Sequence, residues 1–388
     1  MRLAYLTARF PEHASERFLE PEVRALAEYV DLTIVPVQSK GSFAGRDVRA
    51  AFNEFASRPV RSTGLLATLL FRSGGFRAAL KSAGAFPRGL AMARKFRREG
   101  VEHVHAIGLG IPSTVAYVAS RLSGIPYSIG VHEREIPISG LMSLKLAKAK
   151  FARTVSTRTC RGLQALVPSA AAQCHVVHAG VAVPEFQAEP PLRRVPRVLC
   201  AGDDPAEVLS ALAQLRERGC VFACDLVSDQ LPARIERLIE LNHLRGLAAL
   251  RRDLSFEGLR EALSGGDYDI FILATGDARP EREDIPMTAL LAMAAGTATL
   301  AFTGASLDEV IDAGSGFLIP PHDARALESA LERLVLDSGL RRRTGQRARD
   351  RVMAGFDIDG TTQQLAQRIY GGSHWVRIPV AGALGEGR

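Results

Sequence analysis

The chain predicts an α/β protein built from two doubly wound parallel-sheet units. Strand-like apolar runs alternate with helix-like ones along nearly its whole length, the pattern of sheets covered by helices on both faces. That alternation breaks once, at the Pro-rich polar stretch 183–196, which reads as a linker between units. A length of 388 residues suits two such domains. The expected organisation is 1–184 as a basic first domain and 185–196 as the linker. A second domain at 197–355, a terminal helix at 356–372 and a loose tail at 373–388 complete it.

In order, the first strands are expected at 3–7, 32–37, 103–107, 127–131, 154–155 and 175–177. Helices fill the gaps at 20–29, 63–71, 89–98, 113–122 and 143–151, where apolar residues recur at helical spacing. The second series begins at Val198 and continues with strands at 222–227, 270–274, 299–302 and 316–319. Its helices are expected at 205–218, 232–241, 287–295, 324–337 and 339–352. Two such units imply a cleft with ligands at the carboxyl ends of the strands.

Composition is that of a globular chain, 47% hydrophobic and 23% charged, without an apolar run of the roughly 18 to 20 residues that span a membrane. The opening residues read as a buried strand followed at once by Arg9-Phe-Pro-Glu-His, so no signal peptide is expected, and a cytoplasmic setting is. Five cysteines in no zinc-like or redox spacing suit free, mostly buried thiols.

The net charge of +7 conceals an asymmetry: residues 1–184 sit near +13 and the remainder near −6. Residues 136–184 contain no acid but do contain Lys145, Lys148, Lys150, Arg153, Arg158 and Arg161. Such a domain favours an anionic partner, a membrane surface or a lipid-linked phosphate, or else is a solvated helix face. Nucleic acid is not expected, because no helix-turn-helix, zinc finger or aromatic single-strand platform is present.

The most informative segment is Glu283-Asp-Ile-Pro-Met-Thr-Ala-Leu-Leu-Ala-Met-Ala-Ala-Gly296. It places a carboxylate and the free amides of Ile285, Met287 and Thr288, around Pro286, at a helix start, where phosphate or sugar oxygens bind well. It resembles the nucleotide-sugar loop of family 4 glycosyltransferases, Glu-Gly-x-Pro-x-x-x-x-Glu-Ala-Met-Ala-x-Gly, with Leu291 in place of the second Glu. The resemblance extends to other segments. Arg9-Phe-Pro-Glu-His-Ala-Ser-Glu-Arg-Phe-Leu is similar to the family's first loop, which puts Ser15 and Glu16 on the acceptor side. Val131-His-Glu-Arg-Glu-Ile136 resembles the family's His-x-x-Asp-Ile, with His132 behind the sugar ring and Glu135 holding the loop. The segments at 302–311, which carries Glu309, and at 314–323 resemble the family's Gly-Gly-x-x-Glu-x-Val and Gly-Leu-Leu-Val-Pro-Pro-x-Asp.

The resemblance implies a GT-B fold of two Rossmann-like domains and retaining transfer from a nucleotide-diphosphate sugar. The acceptor would be a polysaccharide or lipid-linked glycan, and no metal or other cofactor would be required. Surface-polysaccharide assembly on the inner face of the plasma membrane is the implied setting. His132 and Glu283 would be catalytic, with Gly202, Glu283, Ile285, Pro286, Met287, Thr288 and Glu309 on the donor side. The family's diphosphate cations come from a Gly-Arg-x-x-x-x-Lys segment, which here reads Gly202-Asp203-Asp-Pro-Ala-Glu-Val208. Asp203 replaces the Arg and Val208 the Lys, and the Gly-x-Gly-Pro turn near Ser228 has lost its glycines. Growing charge on a departing diphosphate must be met by fixed cations or dipoles. Arg279 and Arg282 are therefore candidate substitute cations. The alternative is a folded but inactive relative acting as a partner or regulator of polysaccharide assembly. A sugar-nucleotide epimerase on the same fold is a third class, for which no matching catalytic set is present.

His103 and His105 share a strand face but lack a third ligand, so a structural role is expected. Asp267-Tyr-Asp269 precedes a strand and lies at the wrong end for a ligand site.

Overall fold

The computed structural model describes residues 1–10, 19–39, 43, 45–131, 140–184, 195–228, 232–274, 285–304 and 306–371. They form two compact units, Met1–Ala179 with Asp359 onward, and Gly180–Ile358.

The first unit is a six-stranded, all-parallel sheet in the order β2-β1-β3-β4-β5-β6. Its strands are β1 (Arg2–Thr7), β2 (Asp31–Pro36), β3 (His103–Ile107), β4 (Tyr127–Val131), β5 (Ala152–Thr154) and β6 (Cys174–Val176). Between them run α1 (Glu20–Ala27), α2 (Gly45–Ser57), α3 (Pro59–Arg72), α4 (Phe76–Glu99), α5 (Ile111–Ser123), α6 (Gly140–Lys148) and α7 (Thr157–Leu166). Strand alternation feeds two cores: Ala4 and Leu6 face one layer, Leu3 and Tyr5 the other. The prolines at the starts of α1, α3 and α5 sit where a missing N–H costs nothing.

The second unit repeats the design in the order β12-β11-β10-β7-β8-β9, again all parallel. Here the strands are β7 (Arg197–Ala201), β8 (Ala223–Val227), β9 (Ala248–Leu250), β10 (Ile270–Leu273), β11 (Ala298–Phe302) and β12 (Phe317–Ile319). The helices are α8 (Ala206–Glu217), α9 (Pro232–Leu241), α10 (Phe256–Ser264), α11 (Met287–Ala294), α12 (Ala324–Leu336) and α13 (Ser338–Gly355). Ser255, Asp323 and Asp337 cap α10, α12 and α13 by accepting first-turn amides. A last helix, α14 (Ile358–Tyr370), puts Leu365, Ala366 and Ile369 into the core beside Leu3 and Tyr5. The Ile369 carbonyl also accepts a 2.6 Å bond from Lys150 Nζ.

Four elements were not legible in the sequence. Helix α2 fully buries only Ala51 and Glu54. Strand β9 is three residues long, α10 buries only two leucines, and α7 follows a polar run. Helix α4 begins thirteen residues before the expected Gly89. It runs through Pro87, which removes one interior N–H and leaves the Ala83 carbonyl without its helical donor.

The cations of the acid-free stretch 136–184 divide between core and surface. Lys145 is 3% exposed, and Arg153, at 2%, is paired with buried Glu22. Lys148, Lys150, Arg158 and Arg161 are exposed.

Candidate functional site

In the second unit the chain goes β7 to β8 to β9 on one side, then returns to place β10 on the other side of β7. The carboxyl ends of β7 and β10 therefore flank a topological switch point, where open α/β sheets bind ligands. Gly202 sits at this point. Its φ is +142°, and a Cβ built on it would lie 2.0 Å from the Ala274 carbonyl oxygen. Its N–H donates to the Val227 carbonyl at 3.1 Å, and the Asp204 N–H donates to the same Ala274 carbonyl at 3.1 Å. The backbone turn is thus pressed onto the end of β10, which only glycine permits.

After β10 the chain crosses residues 275–284, outside the described residues, and returns at buried Ile285 and Pro286. Pro286 has an extended backbone and caps α11 with its carbonyl, which accepts from Ala289 at 3.1 Å and Leu290 at 3.3 Å. The amides of half-buried Met287 and Thr288 precede these and have no acceptor within the helix. Residues 289–294 are all buried, so α11 is fixed along its length. Its far end is held by Arg349, whose guanidinium donates to the Ala294 carbonyl at 2.7 Å and to the Pro184 carbonyl at 2.6 Å. A cation there also complements the helix dipole. The next residue but one, Gly296 (φ +76°), turns its carbonyl onto Gly345 of α13, where a Cβ would stand 1.8 Å away. Sequence reasoning missed Gly345 and Arg349, because their partners are some fifty residues distant.

At the same end of the sheet, β11 is followed by Thr303 and Gly304, and Ser306 (φ +54°) opens a short 3-10 turn, Leu307–Glu309. Glu309 is half-buried, and its carbonyl accepts from Arg351 at 2.7 Å. The turn after β12 reaches the start of α8, where His322 Nδ1 meets Glu207 Oε1 at 2.7 Å. Gly202, Ile285, Pro286, Met287, Thr288 and Glu309 thus all belong to segments at the carboxyl end of one sheet.

The structure also revises what two replaced positions are. Val208 is 0% exposed and lies in the core with Leu209 and Leu212, so its side chain turns away from any ligand space. Leu291 is 8% exposed in the core that packs α11 against the sheet. Asp203, by contrast, is half-buried at the turn itself. Glu283, Arg279 and Arg282 lie outside the described residues.

In the first unit β4 ends at Val131, one residue before His132. His132, Glu135, Ser15 and Glu16 lie outside the described residues. The neighbouring β3–α5 turn is tied by Lys145, whose ammonium donates to the Leu109 carbonyl and to Ser113 Oγ at 2.9 Å. Arg153 and Tyr5 both donate to the Glu22 carboxylate, Tyr5 at 2.7 Å. Burial alone would raise that carboxyl, but Arg153 and the Tyr5 hydroxyl outweigh it and hold it below its ordinary range. This network anchors α1.

His103 Nε2 and His105 Nδ1 both meet Ser128 Oγ, at 2.8 and 2.7 Å, and burial holds His103 neutral with its pKa lowered to about 3. Among the described residues no group of three His, Cys, Asp or Glu could hold a metal ion. Asp269 accepts the Arg197 N–H at 2.8 Å and Tyr268 bonds Asp225, so the Asp-Tyr-Asp run braces the opposite end of the sheet.

Residues 257–351 match the family model described as glycosyl transferases group 1. The putative colanic acid biosynthesis glycosyltransferase WcaL of Salmonella typhimurium is 26% identical over 165 residues. That match covers 42% of this chain and only 40% of the relative's length. Alpha-D-kanosaminyltransferase of Streptomyces kanamyceticus is 25% identical over 312 residues, 70% of this chain and 78% of the relative. A glycosyltransferase structure from Rickettsia africae superposes with a TM-score of 0.65 at 16% identity, over 96% of this chain and 99% of that one. The fold is GT-B, two Rossmann-like domains. In that fold, and in the segment 257–351, the chain is similar to glycosyltransferases.

Proposed function

We propose that the protein is a retaining glycosyltransferase of the family 4 type. It moves a sugar from a nucleotide-diphosphate sugar to a polysaccharide or lipid-linked acceptor in surface-polysaccharide assembly. The reaction runs without a metal cofactor, on the cytoplasmic side of an anionic membrane. The observation that carries this reading is the meeting, at one switch point, of the glycine-tight β7 turn and the α11 start, whose first two amides have no acceptor within the helix. Fixed amide dipoles there stabilise a diphosphate without reorganising. Glu283, just upstream, holds sugar hydroxyls, and Glu309 supports the donor side. His132 follows the sheet end in the first unit, backing the sugar, with Ser15, Glu16 and Glu135 toward the acceptor. Arg279 and Arg282 take the place of the cations lost at Asp203 and Val208.

A second reading, a folded but inactive partner in polysaccharide assembly, draws on the buried apolar side chains at Val208 and Leu291. One experiment separates them. Thermal shift against UDP, GDP, ADP and their sugars is expected to show one nucleotide stabilising the chain by about 1 to 3 kcal/mol at saturation. Glu283→Ala should weaken the response to the sugar nucleotide. Silence toward every nucleotide would sink the enzyme reading.

A further inference from the structure

Between Glu54 and Glu99 the chain carries no acidic residue and ten Lys and Arg. This stretch folds as α3 and α4, two helices joined by Ser73, Gly74 (φ +74°) and Gly75. Ser73 locks the turn, donating to the Leu69 carbonyl at 2.6 Å and lying 2.9 Å from Ser82 Oγ. The inner face of the hairpin is ordinary core, with Leu65 and Leu69 buried. Its tip is not: Leu70 is 42% exposed, Phe71 88%, Phe76 84% and Leu80 64%. Singly exposed apolar side chains need no explanation, but four within eleven residues of a hairpin tip form a patch. Arg72, Arg77 and Lys81 are interleaved with them and exposed. Packing of α4 begins at Ser82, Ala85 and Phe86, so the first turn and a half of the helix carry the exposed side chains.

Phenylalanines and leucines ringed by unopposed cations match one surface well, a bilayer with anionic headgroups. Rings enter the acyl boundary, while basic side chains reach phosphates and keep their stems in the apolar layer. We propose that the tip of the α3–α4 hairpin docks the protein on an anionic phospholipid surface. Phe71 and Phe76 are its wedge, and Arg72, Arg77 and Lys81 its headgroup contacts. The hairpin adds a positive surface to the exposed cations of residues 136–184. It rests on the membrane setting proposed above and not on the donor chemistry.

The test is flotation of the full chain with phosphatidylcholine vesicles, with and without phosphatidylglycerol, at several salt concentrations. Wild type should float with the anionic vesicles and not with the neutral ones. Phe71→Ser/Phe76→Ser should lower the bound fraction about tenfold, and Arg72→Gln/Arg77→Gln/Lys81→Gln should flatten the salt dependence. Both variants should keep the wild-type melting temperature and nucleotide response, which separates loss of docking from loss of the donor site. Three outcomes would each overturn the proposal. Wild type could ignore anionic vesicles, or the double-Ser variant could float as well as wild type. Alternatively, a lipid-free dimer that the double-Ser change makes monomeric would assign the patch to a second copy of the chain.

Discussion

Replacing Gly202 by alanine isolates the turn that the site depends on. Two costs are set by the structure. A φ of +142° is a region that a residue with a Cβ avoids, at about 1 to 3 kcal/mol. In addition, the new Cβ would stand 2.0 Å from the Ala274 carbonyl oxygen and 2.5 Å from its carbon. Both belong to backbone held in the sheet, so relief requires the β7 turn and the end of β10 to part, a further cost of about 1 to 3 kcal/mol. The sum is on the order of 4 kcal/mol, or about 10 °C in the melting temperature of a domain this size. Gly304 supplies the control: its φ is +141°, but nothing lies within 4 Å of its Cβ position, so Gly304→Ala incurs only the first cost. Urea unfolding and thermal melts of the two variants give the comparison directly. Gly202→Ala should also abolish the nucleotide response. A loss for Gly202→Ala no greater than that for Gly304→Ala would refute the close approach as the reason for this glycine.

Restoring the family's lysine with Val208→Lys should not restore a cation to the site. It buries an ammonium among Leu209 and Leu212 and is expected to cost about 3 kcal/mol or more, read by urea unfolding, with no gain in nucleotide affinity. Unchanged stability with tighter nucleotide binding would show that the side chain reaches the ligand after all. His103, kept neutral first by burial and then by His105 and Lys150, has a folded pKa of about 3 against an ordinary 6.5. Below pH 6.5 the unfolded chain takes up a proton that the folded chain refuses, so stability falls with pH down to about 3. The slope is about 1.4 kcal/mol per pH unit. Between pH 6.5 and 5, wild type should therefore lose about 2 kcal/mol more than His103→Gln; equal losses would mean that His103 protonates in the fold.

The two-unit α/β architecture was legible because period-two and period-3.6 apolar patterns are local. So were the α11 segment, with its Pro286 start, and the glycine at 202, since turn and helix-start chemistry is written in adjacent residues. Elements with little apolar area, such as α2 and β9, were not, and α4 was expected only from Gly89, past Pro87, although it begins at Phe76. Sequence alone also located the departures from the family 4 pattern it resembles, at 203, 208 and 291. Only the tertiary structure decided what those replacements mean. Burial depends on which faces the sheet and neighbouring helices cover. That is why Val208 and Leu291 are core residues while Asp203 remains at the turn. The same reasoning applies to charge: of the acid-free run at 136–184, Lys145 and Arg153 are taken into the fold while Lys148, Lys150, Arg158 and Arg161 stay exposed. The one between Glu54 and Glu99 is carried to a hairpin tip, where nothing in the first unit covers it among the described residues.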